Sequence, residues 1–355
     1  MKIAFIGSAG IPNRYGGFEA FLETCAPVLA EDGHEVIVTA DPALYPNKAM
    51  FYRGVRRVFV PIRANGASSV MHDGLAFLMV WWRVRCIVVL GVSGGPWFPF
   101  WRALCSMTGR RLLVNVDGVE WRRTKFGRGR RLVLKVFDML AQRFSHVVIV
   151  DNVALTPFLS KSGQRKARHI AYPGDHVLRL NALVIEPGTA LTVCRIEPEN
   201  NVHMNIEGFL RSQGRRYTVV GNWSQSAYGR DLRTRYEGEP RLELLDPIYD
   251  ANRLADLRGR CEVYIHGHSV GGTNPSLVEM LFYDSHLLCF DCAFNRQTAG
   301  NSAEYFADTD ALSLGLNGLY ETAPPAGPLR QELRQRYTGR AIADQYVSAI
   351  GQTYA

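Results

Sequence analysis

The sequence predicts an α/β chain built as two doubly wound, parallel-sheet domains. Three observations predict this: short apolar runs of strand length alternate with helical stripes, the alternation restarts near the middle, and Pro/Gly punctuation marks the restart. The 355 residues suit about two domains of ~150 each. With 47% apolar and 21% charged residues, the chain has the balance of a globular protein rather than a disordered one.

Lys2–Ile6 and Val36–Ala40 read as strands. Between them Phe18, Phe21, Leu22, Cys25, Val28 and Leu29 follow a helical stripe, with Gly33 as its terminating glycine. Pro27 interrupts that stripe and is expected to kink the helix or end it early. Cys86–Leu90, Leu112–Val116 and His146–Val150 are further strands, separated by helical patterns. After Tyr172-Pro173-Gly174-Asp175 and Glu186-Pro187-Gly188 a second series begins: Leu191–Cys194, Tyr217–Val220, Leu242–Leu245, Cys261–Ile265 and Leu287–Asp291. A final helix is expected from about 329 to 350, beyond Ala323-Pro324-Pro325. The domain reading is 1–175, then 176–328, then a C-terminal helix over 329–355 packing back toward the first domain.

Strands alternating with helices imply parallel sheets covered on both faces. In such sheets ligands sit beyond the carboxyl ends of the strands. Two such domains are expected to face a cleft, with the chemistry in the loops that follow the strands.

Residues 1–170 hold 24 basic and 11 acidic residues, a net of +13; residues 171–355 hold 17 and 22, a net of −5. The positive half includes Arg53, Arg56, Arg57 and Arg63, then a run from Arg122 to Lys135, near Trp97-Phe98-Pro99-Phe100-Trp101. Dense positive charge beside aromatic residues suits an anionic membrane surface, and no nucleic-acid reader motif is present. The apolar stretch 75–92 carries Arg83 and Arg85 near its middle, which favours a core helix and a buried strand over a membrane span. The start of the chain has no secretory pattern, and seven scattered cysteines suit reduced thiols, Cys289 and Cys292 included. A cytoplasmic protein lying on the inner face of the cell membrane is expected.

Three loops carry candidate chemistry. The first, Gly7 to Gly17, precedes the helix bearing Glu19 and is neither a Walker A nor a dinucleotide-binding glycine pattern. Its glycines serve either close approach of a phosphate or sugar, or a tight turn. The second is Cys194-Arg195-Ile196-Glu197-Pro198-Glu199-Asn200-Asn201, where Arg195 either forks onto a diphosphate or pairs with Glu197 or Glu199. The third runs from Tyr264 to Glu279. Asn274 is a good helix cap and Pro275 a good first helical residue, so the amides of Ser276 and Leu277 are expected to point unpaired out of the helix end. Glu279 sits where it can accept hydrogen bonds from ribose hydroxyls. His266 and His268 alternate along an extended segment and face the same side, as partners of phosphate or local backbone. They would need a third ligand to hold a metal, and none is near in sequence.

These residues resemble a family. The stretches GIPNRYGGFE (10–19), NVDGVEWRRTKFG (115–127), CRIEPENNVHMNIEGF (194–209), YIHGHSVGGTNPSLVEM (264–280) and FDCAFNRQ (290–297) are similar to those of retaining glycosyltransferases of the GT-B fold, family 4. More narrowly they resemble a bacterial rhamnosyltransferase-like branch with a DUF1972-type N-terminal domain.

The resemblance implies two Rossmann-like domains, the C-terminal one binding a nucleotide diphosphate-sugar. It implies donor contacts from Arg195, Asn200, His266, His268, Gly271, Gly272, Thr273, Asn274, Ser276, Leu277 and Glu279. Glu279 falls at the second glutamate of the family's E-x7-E signature. Two departures stand out: the first glutamate is Gly271 here, and the lysine expected five residues after Arg195 is Asn200. Acceptor contacts are implied for Tyr15, Gly16, Gly17, Glu19 and Trp121, and catalytic roles for Asp117, Glu120, Arg195 and His268. Structural pairing of Asp117 or Glu120 with Arg122 or Arg123 is the alternative for those carboxylates.

The expected function is transfer of a sugar, L-rhamnose from dTDP-L-rhamnose, with retention, onto a lipid-linked glycan precursor; a UDP-sugar is the other donor considered. No metal or other cofactor is expected. Two rival readings are a non-catalytic nucleotide-sugar or glycan-binding subunit, suggested by Gly271 and Asn200, and a nucleotide-sugar epimerase or hydrolase on the same fold.

Overall fold

The computed structural model describes residues 1–14, 16–116, 118, 121, 127–178, 183–323 and 328–354, with the side chains of 328 and 329 left aside. It divides into two compact units. Unit 1 is Met1–Pro173 with Gly339–Ala355, and unit 2 is Gly174–Thr338.

Unit 1 runs β1 (Lys2–Ile6), α1 (Gly17–Glu31), β2 (Glu35–Ala40), β3 (Phe51–Tyr52), β4 (Val55–Phe59), α2 (Ser69–Val80), β5 (Cys86–Leu90), α3 (Phe98–Met107), β6 (Arg111–Asn115), α4 (Arg128–Phe144), β7 (Val147–Val150), α5 (Lys161–Arg165) and β8 (Ala167–His169). Unit 2 continues with β9 (Glu186–Val193), α6 (Val202–Arg211), β10 (Arg216–Val220), α7 (Ala227–Arg235), β11 (Leu242–Leu245), α8 (Ala251–Arg260), β12 (Cys261–His266), α9 (Pro275–Met280), β13 (His286–Phe290), α10 (Ala293–Ala299), β14 (Glu304–Phe306), α11 (Thr309–Leu319) and α12 (Pro328–Arg336). The last helix, α13 (Gly339–Gly351), belongs to unit 1.

The unit 1 sheet has the order β3-β4-β2-β1-β5-β6-β7-β8, parallel throughout except for the antiparallel β3–β4 pair. The unit 2 sheet has the order β11-β10-β9-β12-β13-β14, all parallel. In each sheet the strand order reverses once, between β1 and β5 and between β9 and β12. Such a switch point is where an open α/β sheet leaves room for a ligand beyond its carboxyl ends.

Each sheet is stabilised by burying its apolar strands under helices. In unit 1, Phe5, Phe21, Leu22, Leu29, Ile342 and Tyr346 share one core, so α13 packs beside α1. In unit 2 the core gathers Ile206, Phe209, Tyr217, Trp223, Ile265 and Leu316. The expected terminator Gly33 takes φ +76°, with its N–H donating to Ala30 O (3.0 Å) and that of His34 to Leu29 O (3.1 Å). That is the left-handed glycine closure of a helix.

Four sequence expectations change. Helix α1 does not end at Pro27 but continues to Glu31, because Pro27, Cys25 and Leu29 are buried in the unit 1 core. The expected helix from 329 to 350 is two helices, broken at Tyr337-Thr338, and only the second returns to unit 1. Strand β9 starts at Glu186, so Glu186-Pro187-Gly188 opens the strand rather than preceding it. Arg57, read as part of a basic surface, is only 6% exposed: it donates to Ile11 O (3.0 Å) and to the carbonyl of Ala49. The stretch 75–92 forms part of α2 and the wholly buried β5, and no described helix is long and apolar enough to cross a membrane.

Candidate functional site

The loops leaving β9 and β12 are tied to each other. Strands β9 and β12 are parallel neighbours, so both loops leave the same edge of the sheet. Ser269 donates twice to Glu199 O, from its N–H and from its hydroxyl (2.9 Å each). Asn201 Nδ2 donates to Gly267 O (2.9 Å), from a residue held at φ +49°, a conformation asparagine tolerates. Gly267 is required here, since a Cβ would lie 2.3 Å from Asn200 O. From α10, Asn295 Nδ2 donates to His268 O and to Phe290 O (2.8 Å each).

Asn200 is the hinge of the arrangement. Its Nδ2 donates to Arg195 O (2.7 Å), which turns Oδ1 toward His268 Nδ1 at 2.8 Å. An amide oxygen only accepts, so Nδ1 carries a proton. Nε2 faces Gly271: a Cβ there would stand 2.8 Å from it, at a φ of +140°. Gly271 and His268 therefore fit as a pair, with the imidazole occupying the space a side chain at 271 would need. Asn200 is buried, and these two bonds hold it between the Arg195 backbone and the His268 ring.

The Arg195 guanidinium is exposed and has no carboxylate partner among the described residues, so the surface pairing with Glu197 or Glu199 does not form. His266 is 2% exposed, with its ring centroid 6.0 Å from those of Tyr264 and His268. Burial, then the neighbouring His268, holds its pKa well below the ordinary histidine value, so the ring is neutral. Among the described residues no group of three or more His, Cys, Asp or Glu is placed to hold a metal ion. Cys289 and Cys292 are free thiols.

The helix end is where the sequence reading needs correction. Asn274 caps α9 as expected, but its Oδ1 accepts from Ser276 N–H (3.0 Å) and its carbonyl accepts from Leu277 N–H (3.1 Å). Those two amides are therefore consumed, and α9 is only six residues long. The unspent donors lie upstream: among the described residues neither the Gly271 nor the Gly272 amide donates to a protein acceptor. Thr273, between these glycines and the cap, is buried.

Glu279 is largely buried in α9 and has partners that the sequence did not reveal. Oε2 pairs with Arg258 of α8, and Oε1 lies 3.2 Å from His176 Nε2. Burial pushes its pKa up, but the charges of Arg258 and His176 outweigh that, so the carboxylate stays ionised. Each oxygen keeps a further lone pair for a hydroxyl donor.

In unit 1 the first glycine loop is largely occupied by its own fold. Gly7 (φ +88°) has no room for a Cβ, which would meet Leu90 O at 2.4 Å, and a Cβ on Gly10 would meet Ala40. Glu19 is buried and accepts Ala9 N–H (2.6 Å), so it clamps the loop, with burial raising its pKa. Gly16 is the N-cap of α1 and Gly17 its first residue. Trp121 donates from Nε1 to Asp138 Oδ2 (3.0 Å) and lies under Lys135, which fixes it to α4. Tyr15, Asp117 and Glu120 lie outside the described residues. An open groove of 1180 Å³ lies at the opposite, amino ends of β1 and β2, around Lys2, Glu35, Arg53 and Trp82.

Comparison with known proteins agrees with this architecture. Residues 82–175 match a family model described as a domain of unknown function (DUF1972). No curated protein matches the chain at a significant level. Among solved structures, sucrose-phosphate synthase from Thermosynechococcus elongatus superposes with a TM-score of 0.77 at 16% identity, covering 99% of this chain and 98% of that one. HepE from Anabaena, solved in complex with UDP, gives 0.74 at 16% identity over 99% and 100%. The catalytic domain of starch synthase IV from Arabidopsis thaliana, bound to ADP and acarbose, gives 0.74 at 11% identity over 99% of each chain. This is the GT-B glycosyltransferase fold. In this GT-B chain the switch point of unit 2 carries Arg195, His268 and the two open glycine amides, and that of unit 1 carries the clamped loop around Glu19.

Proposed function

We propose that the chain is a glycosyltransferase that moves a sugar from a nucleotide diphosphate donor, L-rhamnose from dTDP-L-rhamnose, onto a lipid-linked glycan precursor with retention. The observation that carries this reading is the polar set on the two loops at the unit 2 switch point: an exposed Arg195 with no carboxylate partner among the described residues after β9, and the unspent Gly271 and Gly272 amides after the neighbouring β12. A guanidinium and backbone N–H groups suit a diphosphate, and they stabilise it most as negative charge grows on the departing group. HepE has also been solved in complex with UDP-glucose, which supports a nucleotide-sugar as the donor class.

In this reading Glu279, kept ionised by Arg258 and His176, accepts from the ribose hydroxyls. His268 turns its Nε2 edge toward a hydroxyl of the donor sugar, in the space where the family's first glutamate would begin. Substitution of a carboxylate by a histidine changes which hydroxyl pattern fits and suits a deoxy sugar. The acceptor oxygen attacks the anomeric carbon on the face the diphosphate is leaving. The bond from that carbon to the diphosphate oxygen breaks, the new glycosidic bond forms, and the acceptor proton passes to the diphosphate. Arg195 and the glycine amides carry the charge of the leaving group, and the protein needs no metal for that step. The unit 1 loops, including Tyr15, Asp117, Glu120 and Trp121, place the acceptor.

Incubation with dTDP-L-rhamnose and a glucosyl-lipid should give a disaccharide lipid with the donor's anomeric configuration. Release of dTDP with no sugar on the acceptor, or no product with any nucleotide sugar, overturns the reading.

A further inference from the structure

We propose that the outer face of α4 docks on, and partly inserts into, a bilayer surface rich in anionic lipid. A surface helix ordinarily turns its apolar stripe inward and its polar residues to water. Helix α4 departs from this: its inner face takes polar residues beside Ala141, and apolar residues stand outside. Asp138 and Gln142 are buried, whereas Leu132 is 64% and Met139 52% exposed, with Val133 and Val136 exposed beside them. Residues 132, 136 and 139 recur at helical spacing, so they form one stripe.

This arrangement is fixed from within. Gln142 Nε2 donates to Asp138 Oδ1 (2.7 Å), and Gln142 Oε1 accepts Ser160 N–H (2.8 Å). Lys166 closes the carboxyl end of α4 by donating to the carbonyls of Arg143 (3.0 Å) and Ser145 (2.9 Å). Rotating the helix to bury the stripe would break these bonds, so the apolar face is built to stay outside.

Charge selects the occupant. Arg128, Arg130, Lys135 and Arg143 are exposed along the same helix. From Ser69 to Phe144 the acidic residues among the described ones are Asp73 and Asp138, and both are buried. Phe100 and Met107 of α3, which packs against α4, are exposed as well. A nucleic-acid backbone would use the arginines and leave Leu132 and Met139 in water. Anionic headgroups over acyl chains satisfy both, with the long basic side chains reaching up to the headgroups. This deepens the reading of a lipid-linked acceptor and rests on it for its purpose, yet its test needs neither sugar nor nucleotide.

The experiment is flotation of the full chain with vesicles of phosphatidylcholine alone and with about 30% phosphatidylglycerol. The chain is expected to bind the anionic vesicles, with added salt weakening the binding. The double substitution Leu132→Glu/Val136→Glu should weaken it by about tenfold or more and leave melting and nucleotide affinity unchanged. Leu314→Glu, at an exposed apolar position of α11 in unit 2, should bind as the parent does. Equal vesicle binding by the double variant overturns the proposal, as does equal loss in Leu314→Glu. Lipid-free self-association abolished by Leu132→Glu overturns it in favour of a second copy, and binding to heparin but not to vesicles overturns it in favour of a plain polyanion patch. Vesicle binding without sugar transfer counts against the transferase reading alone.

Discussion

The two switch points of this chain use glycine in opposite ways. After β1, Gly7 and Gly10 press against Leu90 and Ala40, and Glu19 takes the Ala9 amide, so the loop is packed against its own sheet. After β12, asparagine side chains and Ser269 hold the loop from outside, leaving the Gly271 and Gly272 amides open. Glycine content alone does not mark a ligand site; at Gly7 and Gly10 the missing side chain serves close packing of the loop on the sheet.

This contrast can be broken at several points. The largest effect is expected from Glu279→Ala in unit 2, which strands the buried Arg258. Chemical denaturation should show a loss of about 3 kcal/mol or more, and pairing it with Arg258→Ala should recover part of that. If the double variant regains stability but not nucleotide binding, the carboxylate serves the ligand as well as the fold. Next, Gly7→Ala should cost about 1–3 kcal/mol from backbone strain, before its collision with Leu90 O is counted, and leave nucleotide affinity unchanged. A smaller stability loss, about 1–2 kcal/mol, is expected for Asn200→Ala, because His268 Nδ1–H loses its acceptor. There the nucleotide-sugar dissociation constant should rise, reversing the order seen for Gly7→Ala.

A further effect is one of pH. Burial, then Arg102 and Arg111, lowers the His146 pKa from 6.5 to about 4, and its Nδ1 accepts Leu112 N–H (3.0 Å). Between those values the unfolded chain binds the proton and the folded one does not, so stability present above pH 6.5 is lost as pH falls toward 4. His146→Gln should flatten the urea midpoint across that window.

A strand made of an unbroken apolar run was legible from sequence: β5 has the expected bounds, and so does β11 despite Glu243. Strand β4 was not, because Val55-Arg56-Arg57-Val58-Phe59 hides a buried arginine whose acceptors are distant carbonyls. The short edge strands β3, β8 and β14 carry too few residues to show a period. At the site, the motif residues and the Asn274 cap were visible. The partners of Glu279 were not, since His176 and Arg258 reach it from other elements. The role of Asn200 likewise needed the position of His268. Helix α4 misleads any reading by period alone, because its stripe faces outward.

The central claim is that Arg195 and the open glycine amides hold a diphosphate. Titration calorimetry of dTDP-L-rhamnose into the parent chain and into Arg195→Ala tests it most directly. Saturable binding by the parent is expected, weakened by about tenfold or more in the variant, with the ligand-free melting temperature unchanged because Arg195 is exposed. Equal affinity in the two proteins, or no binding of any nucleoside diphosphate-sugar by the parent, would contradict it.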